Sequence, residues 1–140
     1  MVNIKDLMLE VPKTIVVHYI DDFYIELKYL PKSELSKIFE ESKKIVWDKR
    51  DHTKKEEIDV DAFYKKMIDR VLVGWRGLKA STLAKLIPIK ITDPDIEIEF
   101  TPENALILLQ NAYDFDMFIQ RIVTDIEKFN AEQFEAEKKI

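Results

Sequence analysis

Cysteine is absent from these 140 residues, glycine occurs only twice, and no apolar run nears the length of a membrane span. Without cysteine there is no disulfide framework, thiol nucleophile or thiolate metal site, which fits a reducing cytoplasm. Two glycines cannot supply a phosphate-cradling loop of the P-loop or dinucleotide type. The longest apolar run, Ala105-Leu106-Ile107-Leu108-Leu109, is far short of the ~20 residues that span a bilayer. Met1 to Glu10 lacks the basic start and apolar block of a secretory leader, so no membrane partner is expected.

What is present is a 46% apolar, 35% charged composition that supports one soluble domain over residues 1–140. Charge is unevenly spread. Residues 1–57 carry 11 basic and 12 acidic side chains, residues 58–92 carry 7 and 3, and residues 93–140 carry 4 and 12. An acidic C-terminal third repels phosphate backbones, so nucleic acid is not expected as a partner, and a basic protein partner fits better.

Along the chain, Thr14–Ile20 and Phe23–Leu30 are rich in β-branched and aromatic residues and flank Asp21-Asp22, which predicts a β-hairpin over about 14–30. Pro31 and the spacing of Leu35, Ile38, Phe39, Ser42, Ile45 and Val46 predict a helix over about 31–48. Asp48–Glu57 has no apolar residue and reads as an exposed loop. Asp59 looks like an N-cap. It is followed by Val60, Phe63, Tyr64, Met67, Ile68, Val71, Leu72 and Trp75 at steps of three and four, which predicts a helix over 60–76.

Both glycines fall in Val71-Leu72-Val73-Gly74-Trp75-Arg76-Gly77-Leu78. On the helical reading Gly77 ends the helix in a left-handed conformation, and Gly74 marks close approach of another element, with Trp75 buried beside it. Further helices are predicted over 81–87, ended by Pro88, over 102–111, opened by Thr101-Pro102-Glu103, and over 114–137. Ile96, Ile98 and Phe100 alternate with Glu97 and Glu99 as a short strand or extended edge. The expected class is therefore mainly α within α+β: a single helical domain with an N-terminal hairpin and one further short strand.

No catalytic constellation emerges. His18 and His52 are far apart, and packing or solvent exposure suits each better than metal ligation. The acids of Asp93–Glu99 alternate like one wet strand face and lack the glycine turn of a calcium loop. No serine sits in a nucleophile elbow. The expectation is a protein without enzyme activity, metal or cofactor. Trp47 and Trp75, with Arg76 and Leu78, are the candidate partner-binding residues, because tryptophan is enriched in binding hot spots as well as in cores.

Phe63-Tyr64 on a helix, then Val71 to Leu78, then Phe100-Thr101-Pro102-Glu103-Asn104-Ala105 with Leu108-Leu109, together resemble phage tail assembly chaperones. The resemblance runs from about Ile25 to Phe129 and includes the leading LKYLPKSELSKIF. Its motif positions are Gly74, Trp75, Gly77, Leu78, Thr101, Pro102, Glu103 and Asn104. Lys79–Glu99 departs from the simpler members, which join the two motifs by a brief polar turn. The resemblance implies a cytoplasmic, non-enzymatic protein of a phage or prophage. Such a protein coats the tape measure protein, brings major tail tube subunits to it and is absent from the mature particle, with self-association a further expectation. The alternative is a tail completion or connector protein retained in the virion.

Overall fold

The computed structural model describes residues 2–9 and 13–138, with side chains to residue 132. In the first hairpin, β1 (Thr14–His18) pairs antiparallel with β2 (Tyr24–Lys28), from Thr14 opposite Lys28 to His18 opposite Tyr24. The Phe23 amide closes the connecting turn on the Ile20 carbonyl at 2.9 Å, and Asp21 sits at φ 49°. Aspartate tolerates that left-handed backbone better than most residues, which explains how Asp-Asp serves without a glycine. Ile15, Val17, Ile25 and Leu27 are buried while their neighbours along each strand are more exposed, so one face of the sheet is dry.

The third strand of this sheet corrects the sequence reading of residues 60–76. Helix α3 (Val60–Val71) starts as expected, with the Asp59 carboxylate accepting from the Ala62 amide, but it stops at Val71. Residues Leu72–Arg76 form β5, antiparallel to the other side of β2, giving the order β1-β2-β5. Leu72 lies opposite Leu27 and Trp75 opposite Ile25, and the register shifts between them, leaving Val73 as the extra residue. Val71-Leu72-Val73 suits an extended backbone, and pairing with the open edge of β2 outweighs the remaining five residues of the expected helix.

A second correction concerns residues 31–58. Helix α2 (Lys32–Glu41) ends where the Ser42 hydroxyl donates back to the Ile38 carbonyl at 2.6 Å. The chain then forms a two-stranded ribbon, β3 (Lys43–Asp48) with β4 (Thr53–Ile58), in place of a longer helix and a loop. The Asp48 carboxylate accepts from the Arg50 amide at 2.8 Å, and His52 turns the chain at φ 53°. Strand β4 has no buried residue, so nothing in its apolar pattern announces a strand.

Downstream, α4 (Ala80–Leu83) is the short core of the expected 81–87 helix, and α5 (Pro102–Asn111) has the expected bounds. The expected 114–137 helix is two, α6 (Tyr113–Thr124) and α7 (Ile126–Lys138). Asp125 adopts extended angles and its carboxylate accepts from the Glu127 amide at 3.0 Å, capping α7 in the middle of an unbroken apolar stripe. Ile96–Phe100 runs beside Leu78–Ala80 through a single bridge, Lys79 to Glu97. A short helix, α1 (Ile4–Leu7), precedes the first hairpin and buries nothing.

The fold is therefore mixed α and β, not mainly helical. Among the described residues there are seven helices and five strands in two sheets, with the strands spread from residue 14 to residue 76. The dry face of β1-β2-β5 and the inner faces of α3, α5, α6 and α7 share one buried cluster around Phe23, Phe115 and Phe129. Phe23 stacks on Phe115 with ring centroids 5.8 Å apart. Burying side chains of this size stabilises by roughly 1.5–3 kcal/mol each relative to exposure. Helix α7 packs on β1, where Tyr29 meets Phe129 edge-on and the Lys13 ammonium donates to Asn130 at 2.9 Å.

Candidate partner-binding surface

The glycine-bracketed tryptophan sits at the seam between β5 and the Ile96–Phe100 segment. The Trp75 indole N–H donates to the Ile98 carbonyl at 3.0 Å, and the ring meets Phe23 and Phe100 edge-on at 5.7 and 4.9 Å. Half-buried and with its one donor satisfied, Trp75 clamps two segments together. Leu78 is fully buried, which leaves no surface for a partner to touch. Arg76 is exposed, with its guanidinium 5.0 Å over the Tyr24 ring.

Gly77 takes the left-handed backbone expected of it, but the close approach expected at Gly74 falls at Gly77 as well. A Cβ at Gly74 would meet nothing within 4 Å, so the expected close approach of two helices there does not occur. Gly77, at φ 74°, is the tight position, since a Cβ there would overlap the Asp22 carbonyl oxygen in the first hairpin turn. Its amide donates to Glu97 at 2.9 Å. That turn is held from the other side as well. Asp21 accepts from the Thr82 hydroxyl at 2.9 Å and pairs with Lys85 at 2.9 Å, contacts that hold the Asp21 carboxyl below the usual carboxylate range.

The second motif caps α5. The Thr101 hydroxyl accepts from the Asn104 amide at 3.0 Å, Pro102 occupies the first turn, and the Asn104 side chain donates to the Glu99 carbonyl at 2.9 Å. Glu103 is exposed in the first turn, where a carboxylate suits the helix dipole. The motif residues thus act on backbone geometry, and one of them, Pro102, lines an open groove of about 640 Å³ between α3 and the start of α5. Ala62, Ile68, Leu72, Phe100 and Pro102 give the groove an apolar floor, and Lys65, Lys66 and Asp69 line it with charge.

Beyond the groove, Tyr64 and Asp116 join α3 to α6. The phenol donates to Asp116 at 2.8 Å, and Gln120 donates to the other carboxylate oxygen at the same distance. Burial first, then the hydrogen bond and charge of Asp116, push the Tyr64 phenol up to about 12. Residues 52 positions apart carry no sequence signal of such a bond.

Trp47 is the candidate that lies in the open. On one face of the β3–β4 ribbon, Ile45 is 71% and Trp47 54% exposed, with Glu56 and Lys54 directly across from them. Ile45 was missed as a surface residue because its spacing also fits a helix stripe, although Ile-Val-Trp before the turn-rich Asp48–Thr53 is a legible strand signal. Phe39, Ile58 and Val60 are further exposed apolar side chains on the segments that join at the ribbon's base. The two histidines are apart: His18 shares a 2.5 Å hydrogen bond with the Asp21 carbonyl, and His52 turns the ribbon. Among the described residues no group of three or more His, Asp or Glu is placed to hold a metal, and no helix is long and apolar enough to cross a membrane.

The described residues thus form a mixed α/β domain with an open, largely apolar groove along α3 and an exposed two-stranded ribbon. Residues 32–139 match the YdaY prophage protein family, and the chain belongs to that family. No curated protein and no solved structure matches it.

Proposed function

We propose that this prophage protein is a tail assembly chaperone, which binds and solubilises the tape measure protein and helps recruit tail tube subunits without remaining in the particle. The observation that carries this reading is the groove between α3 and Phe100–Pro102, with its apolar floor and its lysines. A groove of this kind suits an amphipathic helix, which lays its apolar face on the floor and its acidic side chains beside Lys65 and Lys66. Such recognition needs no reactive group, so the proposed role is non-enzymatic. The prophage family supports a phage setting for it.

Co-expression with the tape measure protein of the same prophage tests the proposal. The expected result is a several-fold rise in soluble tape measure protein and its co-purification with the chain. Ala62→Trp, which fills the groove from a half-exposed helix position, should abolish both while leaving the melting temperature within a few degrees. Unchanged solubility of the tape measure protein would overturn the reading. Mass spectrometry of purified particles should find the chain absent, and stoichiometric retention would point instead to a structural tail component.

A further inference from the structure

The β3–β4 ribbon is the part of the molecule that the fold itself uses least. Its strands pair with each other and leave both outer edges open, and β4 is exposed along its whole length. Its cations fall into two groups. Lys43 pairs with Glu40 at 2.9 Å, and Lys55 pairs with Asp48 and Asp51 at 2.6 and 3.3 Å. Lys44, Lys49, Arg50 and Lys54 take part in no ion pair among the described residues. Lys54 lies directly across from the exposed Trp47, and Lys49 and Arg50 follow in the turn at that end of the ribbon, a combination of unpaired charge and aromatic anchor typical of a binding hot spot.

The same chain carries the complement. Asp93, Asp95, Glu97 and Glu99 are all exposed, none is in an ion pair among the described residues, and Ile91 and Ile96 beside them are nearly half exposed. The Ile98 amide bonds to the Leu78 carbonyl, and the Ile96 carbonyl accepts from Ala80. Alternation along an extended backbone then turns the Glu97 amide and carbonyl to the outer edge, where another strand can pair. We infer that the β3–β4 ribbon of one copy docks on the acidic Asp93–Glu99 segment of a second copy, with Trp47 and Ile45 against Ile91 and Ile96.

A nucleic acid fits the ribbon less well. Asp48, Asp51, Glu56 and Glu57 are interleaved with its cations, and Trp47 is its only aromatic residue, whereas single-strand binding uses a continuous positive groove and several stacking platforms. Because the two patches differ, the contact is heterologous and builds rings or open chains unless it closes reciprocally in a pair. The inference does not depend on the identity of any client.

Sedimentation velocity and light scattering on the full chain, from about 10 µM to about 0.5 mM protein, test it. Reversible association is expected at low salt, weakened at least tenfold at about 0.5 M salt, where the screening length falls to roughly 4 Å. Lys49→Glu with Arg50→Glu should be monomeric, and so should Asp95→Lys with Glu99→Lys. Mixing these two variants restores association only if the two patches meet each other, because each reversed patch then faces an opposite charge. Trp47→Ser should weaken association with an unchanged melting temperature, since Trp47 is outside the buried cluster. A wild-type chain that stays monomeric throughout, variants that still associate, or a mixture that stays monomeric would each overturn the inference. So would a monomeric chain whose ribbon captures an oligonucleotide in a Lys49- and Arg50-dependent way.

Discussion

At the scale of single residues, the two glycines separate conformation from space. Gly77 is needed for both: the left-handed backbone costs a side-chain-bearing residue about 1–2 kcal/mol, and the Asp22 carbonyl occupies the site of the missing Cβ. Gly77→Ala should therefore destabilise by at least ~2 kcal/mol in denaturant melts, because the hairpin turn must shift as well. Gly74→Ala should be neutral or stabilising by up to ~1 kcal/mol, since its surroundings are open and glycine weakens a strand. Equal effects at the two positions would contradict the structure. Tyr64 gives a pH signature. Its proton is held more tightly in the folded state, so the associated stability is complete below the unfolded phenol value near 10 and is lost as pH rises towards about 12. Tyr64→Phe should remove the highest-pH component of the ultraviolet tyrosinate titration and flatten the stability profile over that window.

At the scale of elements, two boundaries were decided by tertiary contact and a third by a local cap. The apolar steps from Val60 to Trp75 fit one helix, yet Leu72 and Trp75 reach the core equally well from a strand paired with Leu27 and Ile25. The steps from Leu35 to Val46 likewise allow a helix, while Ile45-Val46-Trp47 also suits a strand and β4 supplies its ladder. A helix stripe runs from Phe115 to Phe129, and only the capping role of Asp125 divides it. Elements with strong local signals were legible: the first hairpin from its β-branched alternation, α5 from Thr101-Pro102-Glu103. The ribbon also behaves as a separate piece. Replacing Lys44–Glu57 with Asn-Gly, a sequence suited to a two-residue hairpin turn, should leave the melting temperature within a few degrees by calorimetry. A large loss of stability would show that the ribbon supports the core.

At the scale of the whole molecule, the chain closes on itself. Helix α7 near the C-terminal end covers β1 near the other, the Leu30 amide donates to the Val123 carbonyl at 2.8 Å, and Phe129 is fully buried against Tyr29. Phe129→Ala should cost roughly 3–5 kcal/mol as a cavity in a closely packed interior, measurable as a lower denaturant midpoint. A near-neutral result would mean that α7 does not close the core. The turn at Asp21 adds a second long-range tie, to Lys85. Because the Asp21 carboxyl is held below its ordinary value, its contribution is present above the unfolded carboxylate range near pH 4 and is lost as pH falls through the lowered one. Asp21→Asn should therefore reduce the acid dependence of stability measured between about pH 4 and pH 2.

The sequence by itself determined the first hairpin, the start of α3, the bounds of α5 and the unequal distribution of charge, because each rests on local signals: alternation, capping residues and composition. Tertiary structure alone decided that Leu72–Arg76 joins a sheet, that Gly77 rather than Gly74 is the tight glycine, and that Trp47 stands in solvent while Trp75 is clamped. The physical reason is common to all three. A residue whose spacing suits both a helix and a strand takes the conformation that a distant partner can bond and bury, and the free energy of that pairing lies outside any local window.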